Sequence, residues 1–586
     1  MFDNYYQAEL SSLRELGRSF AGKHPALAGM LSERGTDPDV ERLLEGFAFV
    51  AARLHQRIDD AVPELIESLL ELLLPHTLRP TPAASIVEFR SQARTQRGKL
   101  RVERGTRLSS RPARGTHCTF TTAHPLDVSP LRLVASRLDD GSSTRPELTL
   151  RFEAEPGTES LWLGAQGATR SSTARRAGLR LHLHGELATT TQLYLWFARH
   201  LSGVSVRASD GSVALGPDAV RLSGFDEHEA LLPWPAFSAH SARILLEYFT
   251  LPAKFLFVEL TELERAAQLA SGSFEVVFCF HKPPPLASRL PDDVLRLHCV
   301  PVVNLFEVSA EPVRAGIDER ATLLRAAGVE PAHMEVFSVQ SVIGTTRGAE
   351  RRSYQPFHSF QHAQSAAHDF AYYKLTRRPS PVDDGTHTLL SLQRAPESAL
   401  ARDRETLSIE LLCTNRALPA ELQTGDICVP TTDVPSGLSF ANLSHISPAV
   451  SAPLGSDRLW HLLSHSAATR RSLADREVLV SMLSLYGLPE QSDLAEARSK
   501  RAKIEAICSV RVETITRVVG GVAARGSLYR VELDRAGFAS DGDAFLFGAV
   551  LHQVFALDAQ VNSFADLCVT LSPSALQWRY LAEPSA

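Results

Sequence analysis

His182 and His184 stand two residues apart, a spacing that places both imidazoles on one face of a strand, where a pair can begin a metal site. No third ligand lies near them in the sequence, so two exposed strand histidines are the simpler reading. His358 with His362, and His461 with His465, are four apart and would share one helix face. Neither pair encloses the Glu that a zinc protease needs as its base, and the first lies in a Ser- and Gln-rich stretch. Phosphate-cradling loops are missing as well. Neither G-x-x-x-x-G-K-[ST] nor G-x-G-x-x-G occurs, and residues 520–526 have glycines without the Lys-Ser/Thr ending. No G-x-S-x-G elbow or H-E-x-x-H is present. With 67 acidic residues, carboxylate pairs for glycoside hydrolysis can be drawn anywhere, so none is singled out. Trp and Tyr, at 5 and 10, are few for sugar-stacking platforms. No residue is expected to serve as catalyst, cofactor ligand or metal ligand. A large protein of this kind works through its faces, apolar patches and charged rims that hold partners at fixed angles.

The charge balance narrows the partners. Lys+Arg 61 against Asp+Glu 67 leaves a net charge of −6, with no basic stripe for a nucleic acid backbone. Seven Cys are scattered and never spaced as C-x-x-C, which fits a reducing, cytoplasmic setting. Met1-Phe2-Asp3-Asn4 lacks the basic and apolar regions of a signal peptide. The longest apolar stretch, 65–74, is interrupted by Glu67 and Glu71 and is about half a membrane span, so no direct membrane insertion is expected.

Hydrophobic periodicity gives an α+β, multidomain chain, an N-terminal helical region followed by β-rich domains with a late helical insertion. At one domain per ~150 residues, 586 residues make about four. The divisions fall at 1–82 (helical), 83–290 (β-rich), 291–405 (mixed β and loop) and 406–586 (α+β, with helices near 457–487). In the first region Leu10, Leu13, Leu16 and Phe20 form one stripe. A second helix starts at Asp37-Pro38 and carries Leu43, Leu44, Phe47, Val50, Ala51, Leu54 and Ile58 on one face. A third is predicted from Pro63 to the residue before Pro75. Its residues Leu65, Ile66, Leu69, Leu70, Leu72 and Leu73 cover most of the circumference, more than three short helices can bury, so they are the candidate partner interface. Strands are predicted at 85–90, 148–152, 161–163, 179–184, 192–197, 245–251, 255–260, 274–280 and 406–413, with loops at 139–146 and 165–178, and 291–400 continues as strand and loop with aromatic clusters, clearest at Tyr372-Tyr373-Lys374-Leu375. Helices return between 457 and 487, and strands again at 508–519, 527–533 and 545–558.

The residues become specific when taken together. The opening Asn4-Tyr5-Tyr6-Gln7-Ala8-Glu9-Leu10, then Phe20-Ala21-Gly22-Lys23-His24-Pro25 and Asp37-Pro38-Asp39-Val40-Glu41-Arg42-Leu43-Leu44-Glu45-Gly46-Phe47, resemble the TssF (VasA/ImpG) family of type VI secretion system baseplate subunits. So do Lys254-Phe255-Leu256-Phe257, Pro301-Val302-Val303-Asn304-Leu305-Phe306 and Cys413-Thr414-Asn415-Arg416-Ala417-Leu418-Pro419. Arg525-Gly526, Phe545-Leu546-Phe547-Gly548 and Asn562-Ser563-Phe564 extend the likeness to the last strand. Leu462-Leu463-Ser464-His465-Ser466-Ala467 departs from it, being less apolar than the family's leucine-rich segment. The resemblance implies a structural wedge subunit of a phage-tail-like contractile machine that builds a sheath and delivers effectors. It implies two TssF copies on one TssG, and a wedge that joins TssK and TssE around the VgrG hub. The assembly would lie in the cytoplasm, recruited to the inner-membrane complex. A wedge protein of another contractile device is the first alternative. A hydrolase or carbohydrate-binding protein with a site assembled from distant residues is the second.

Overall fold

The structure, a computed structural model, describes residues 2–23, 38–91, 98–139, 146–154, 178–235, 238, 240–266, 272–286, 290–291, 293–315, 321–346, 351–357, 371–380, 383, 385–394, 405–452, 472–487, 494–519, 522–557 and 563–582. The strand expected at 161–163, most of the two predicted loops, the histidine pairs 358/362 and 461/465, the leucines near 459–463 and Gly520-Gly521 lie outside them. The chain divides into two compact units, Met1–Leu78 with Pro453–Ser466, and Arg79–Ala452 with Ala467–Ala586.

The first unit is built on α1 (Phe2–Lys23) and α2 (Pro38–Leu73). The break predicted at Pro63 is absent, because α2 is one helix of 36 residues. A helix-interior proline forfeits a backbone hydrogen bond. The buried residues Ala48, Ala52, Ile66 and Leu70 nevertheless keep one helical phase on both sides of it, so a single covered face holds the two halves in line. Glu41 shares that phase and accepts from Arg14 Nη2 on α1 at 2.9 Å, which sets this face of α2 toward α1. Small Ala48 and Ala52 let the helices approach.

The second unit is mostly sheet. A six-stranded sheet runs in the order Ile427–Pro430, Arg107–Ala113, Thr116–Thr122, Cys299–Val303, Ala84–Ser91, Leu438–Asn442, drawing on three distant stretches of chain. An eight-stranded sheet occupies 306–414. A five-stranded sheet (131–154, 201–214, 273–280) and a four-stranded one (179–183, 220–223, 257–260, 295–297) share one large core with the C-terminal sheet 507–580. Among the described residues five helices pack in that core: α3 (Leu187–Arg199), α4 (His240–Thr250), α5 (Arg476–Gly487), α6 (Leu494–Glu505) and α7 (Asp541–Leu557).

Three of those helices overturn predicted strands: 192–197 lies in α3, 245–251 in α4 and its C-terminal junction, and 545–557 of the strand predicted at 545–558 in α7. In α3 and α7 the cause is burial on every side. Residues 190–197 of α3 are all buried, and α7 buries all but a few of its positions, so no polar face marks a 3.6-residue period. α3 and α7 touch closely. A Cβ on Gly542 would lie 2.0 Å from the Thr191 carbonyl oxygen, Thr191 and Ser540 share a 2.8 Å hydroxyl contact, and Tyr194 meets Phe545 at 6.1 Å. Only glycine fits there.

His182 was expected on a surface and is buried instead, because its strand lies inside the four-stranded sheet with the ring 4.6 Å from Phe257. Burial pushes its pKa down to about 3 and those of His124 and His298 to about 4. The folded protein thus refuses protons that an unfolded chain accepts below about pH 6.5, so stability falls as pH drops from there toward 4. In urea titrations between pH 7 and 4, the midpoint is expected to fall, and His182→Gln to flatten that slope relative to the parent chain. An unchanged slope would count against neutral buried His182.

Candidate assembly interface

α2 has two apolar faces. Ala48, Ala52, Ile66 and Leu70 lie on the covered one. Leu43, Phe47, Val50 and Leu54 lie roughly opposite, at steps of four, three and four, and are 74%, 63%, 56% and 58% exposed. Leu72 shares their phase and Leu69 flanks it, while Leu73, seven residues after Ile66, follows the covered phase at the helix end; all three are exposed. The described row from Leu43 to Leu54 spans about 16 Å at 1.5 Å per residue. Leu16 and Phe20 add exposed apolar surface on α1. Charge borders the stripe: Arg42 stands 3.9 Å from Asp39, and the Arg53 guanidinium lies 5.9 Å from the Phe49 ring. Scattered surface leucines need no explanation, but a row of four at coiled-coil spacing does.

The six residues singled out from the sequence divide. Leu69, Leu72 and Leu73 are exposed, whereas Ile66 and Leu70 are buried within the chain and offer no free surface. The Leu65 side chain lies outside the described residues. Sequence reading missed that the larger open surface is the 43–54 stripe, which it had grouped as an ordinary helix face. The heptad-like steps were the available signal.

Among the described residues no group of three His, Cys, Asp or Glu side chains is placed to hold a metal, and the rings of His182 and His184 are 6.3 Å apart. What polar chemistry the second unit buries serves to join segments. On α4, Arg243 and Glu247 are fully buried at i and i+4, and Glu247 also takes Lys254 Nζ and the backbone N–H groups of Leu231 and Leu232. Lys254 Nζ donates in turn to the Gly224 carbonyl at 2.8 Å, while Glu229 accepts from Arg180 and from Gly224 N–H. Burial lowers the Lys254 pKa, and Glu247 opposes that shift.

The residues that carry the family resemblance meet one another in the same way. Asn304 Nδ2 donates to Asn415 Oδ1 at 2.8 Å, and Asn415 N–H returns a bond to Asn304 Oδ1 at 2.7 Å, tying the six- and eight-stranded sheets. Gly526 lies under the Phe564 ring, which a Cβ would meet at 2.6 Å.

The sequence model of the family described as "Type VI secretion system, TssF" matches residues 1–583. The chain belongs to the TssF family. A TssF relative, type VI secretion system component TssF1 of Pseudomonas aeruginosa, is 30% identical, covering 99% of this chain and 98% of its own length. Two solved structures share the TssF fold. A chain of the TssK-TssF-TssG baseplate subcomplex superposes with a TM-score of 0.78 at 28% identity, over 93% of this chain and 99% of that one. A chain of the type VI secretion baseplate complex gives 0.56 at 26%, over 100% and 99%. No described helix is long and apolar enough to cross a membrane.

Proposed function

We propose that the chain is a structural subunit of the type VI secretion baseplate wedge, and that the open stripe of α2 closes in a helical bundle with TssG and a second TssF copy. The wedge would join TssK and TssE around the VgrG hub, in the cytoplasm beneath the inner-membrane complex, as a platform for sheath assembly and effector delivery. It transmits geometry between partners and makes or breaks no bonds. Family membership and the likeness to a chain of the TssK-TssF-TssG baseplate subcomplex support TssG and TssK as partners. The observation that carries the reading is the exposed row Leu43, Phe47, Val50 and Leu54. Fully burying such side chains is worth about 1.5–3 kcal/mol each. Four of them supply up to ~10 kcal/mol before the costs of association.

Co-expression with TssG tests this. The chain alone is expected to aggregate or self-associate through its seam, and TssG to bring it into a soluble complex whose mass by light scattering corresponds to two copies per TssG. A chain that is soluble, monomeric and indifferent to TssG would refute the reading.

A further inference from the structure

We propose that the cavity where the four-, five- and six-stranded sheets meet binds a carboxylate carried on a short aliphatic body. The site lies wholly in the second unit, goes beyond the helical seam and does not depend on it. Its corner is His298. Leu295–Leu297 belongs to the four-stranded sheet and Cys299–Val303 to the six-stranded one, so the chain changes sheets at this single residue. His298 makes the turn at φ +54°, a conformation uncommon outside glycine, and its carbonyl accepts from Phe89 N–H at 3.0 Å. Backbone held in such a conformation clusters at ligand clamps, where it aims a side chain.

Here the side chain is an imidazole with one proton to offer. Ser129 N–H lies 3.2 Å from His298 Nε2, and a backbone N–H can only donate, so Nε2 accepts and the ring proton sits on Nδ1. Burial pushes the pKa down to about 4, which keeps the ring neutral at pH 7. Nδ1–H has no acceptor among the described residues, and the half-buried ring lines a cavity of about 330 Å³. That is the small end of the range for ligand pockets.

The rest of the wall sets the charge of the occupant. Arg90, Arg132 and Arg296 line it against one carboxylate, Glu88. Glu88 is shared: Arg90 Nε donates to it at 2.7 Å, and Arg296 Nη1 stands 3.6 Å away. Asp293, which is not part of the wall, takes Arg296 Nη2 at 3.2 Å. Arg296 Nε is left buried without a partner, and the largely exposed Arg90 keeps its Nη1 uncommitted among the described residues. An oxyanion is the group these donors lack. A carboxylate suits them better than a phosphate, because one neutral imidazole and part-committed guanidiniums answer a single negative charge. Pro130, Leu133 and Leu297 line the remainder with hydrocarbon, which fits an aliphatic body.

The test uses the full chain in whichever soluble form expression yields, alone or with TssG, and 3-methylbutanoate as the probe. Ligand-observed NMR gives affinity, and hydrogen exchange gives place. The acid is expected to bind at least ~10-fold more tightly than 3-methylbutanamide, a charge-assisted hydrogen bond being worth about that factor, and more tightly than inorganic phosphate. It should slow exchange at 88–91, 129–133 and 295–298. His298→Asp tolerates the left-handed backbone and can still accept from Ser129 N–H, but it puts an acceptor where the donor stood. It should cost at least ~10-fold in affinity, with fold checked by circular dichroism. Arg90→Gln, on the surface and leaving Glu88 to Arg296, should act in the same direction, whereas Arg137→Gln, exposed and outside the wall, should change nothing. A peptide ending in Leu names the source. Tighter binding of its free carboxylate end than of the small acid points to a chain terminus, weaker binding points to a free acid, and both uphold the site. Equal affinity of acid and amide, phosphate binding as tightly, protection confined to other segments, or both cavity variants binding like the parent would overturn the proposal. No binding at ~10 mM, weaker than a fitted small ligand gives, would do the same. The α2 seam does not enter this readout, so failure here leaves the wedge reading standing.

Discussion

Replacing Phe47 and Leu54 with Asp should abolish assembly with the proposed TssG partner while leaving the chain folded. Both side chains point away from the covered face of α2, so the substitution removes nothing that α1 packs against. At a bundle interface, large apolar anchors commonly cost about 2 kcal/mol or more each on truncation, and a buried unpaired carboxylate costs further. The expected loss is at least ~1000-fold in affinity, about 4 kcal/mol. Leu69→Asp with Leu72→Asp should act in the same direction at the other end of the stripe. Leu70→Asp is the contrast. It places a charge on the covered face and should unfold the first unit, losing α-helical signal as well as assembly. Pull-down and circular dichroism together separate the outcomes. If the Phe47/Leu54 variant assembles like the parent, the stripe is not an interface.

The second large effect lies in the second unit. Glu247→Gln should cost about 3–5 kcal/mol, because it keeps the side chain's shape and leaves Arg243 and Lys254 buried without a counter-charge. Arg243 has little to fall back on, since its Nε has no hydrogen-bond partner. The same rule gives a sharper result. Changing Arg243, Glu247 and Lys254 together to apolar residues of similar volume should recover only part of the loss, because removing the buried charges lifts their desolvation cost while the Leu231 and Leu232 N–H groups and the Gly224 carbonyl lose their partners. Urea midpoints of the two variants decide it. A mild single variant would mean that water reaches the cluster.

Much of the sheet was legible because strands such as Ala84–Ser91, Ser273–Phe280 and Glu405–Thr414 are bounded by turn residues and carry a two-residue or continuous apolar pattern. The same rule failed for α3 and α7, where burial on all sides erases the polar face that separates a helix from a strand, and for α4, whose polar row of Arg243 and Glu247 is itself buried. Pro63 misled for a related reason. A local stop signal was overridden by a covered face in phase on either side of it. In the candidate interface, Leu69, Leu72 and Leu73 are open, while Ile66 and Leu70 turned inward. Composition showed too many leucines for one helix, but not which of them α1 would take. The pairings that fix the second unit were beyond reach. Arg243 and Glu247 are four apart, yet Lys254 arrives from the next turn and Asn415 from 111 residues beyond Asn304. Nothing local announces such partners.

The most direct test of the central claim is a photo-crosslinking side chain installed at Phe47 of the full chain, irradiated after assembly with the proposed TssG partner and mapped by mass spectrometry. The account predicts crosslinks to a helix of TssG or of the second copy. Crosslinks confined to the same chain, or none while the complex is intact, would contradict it.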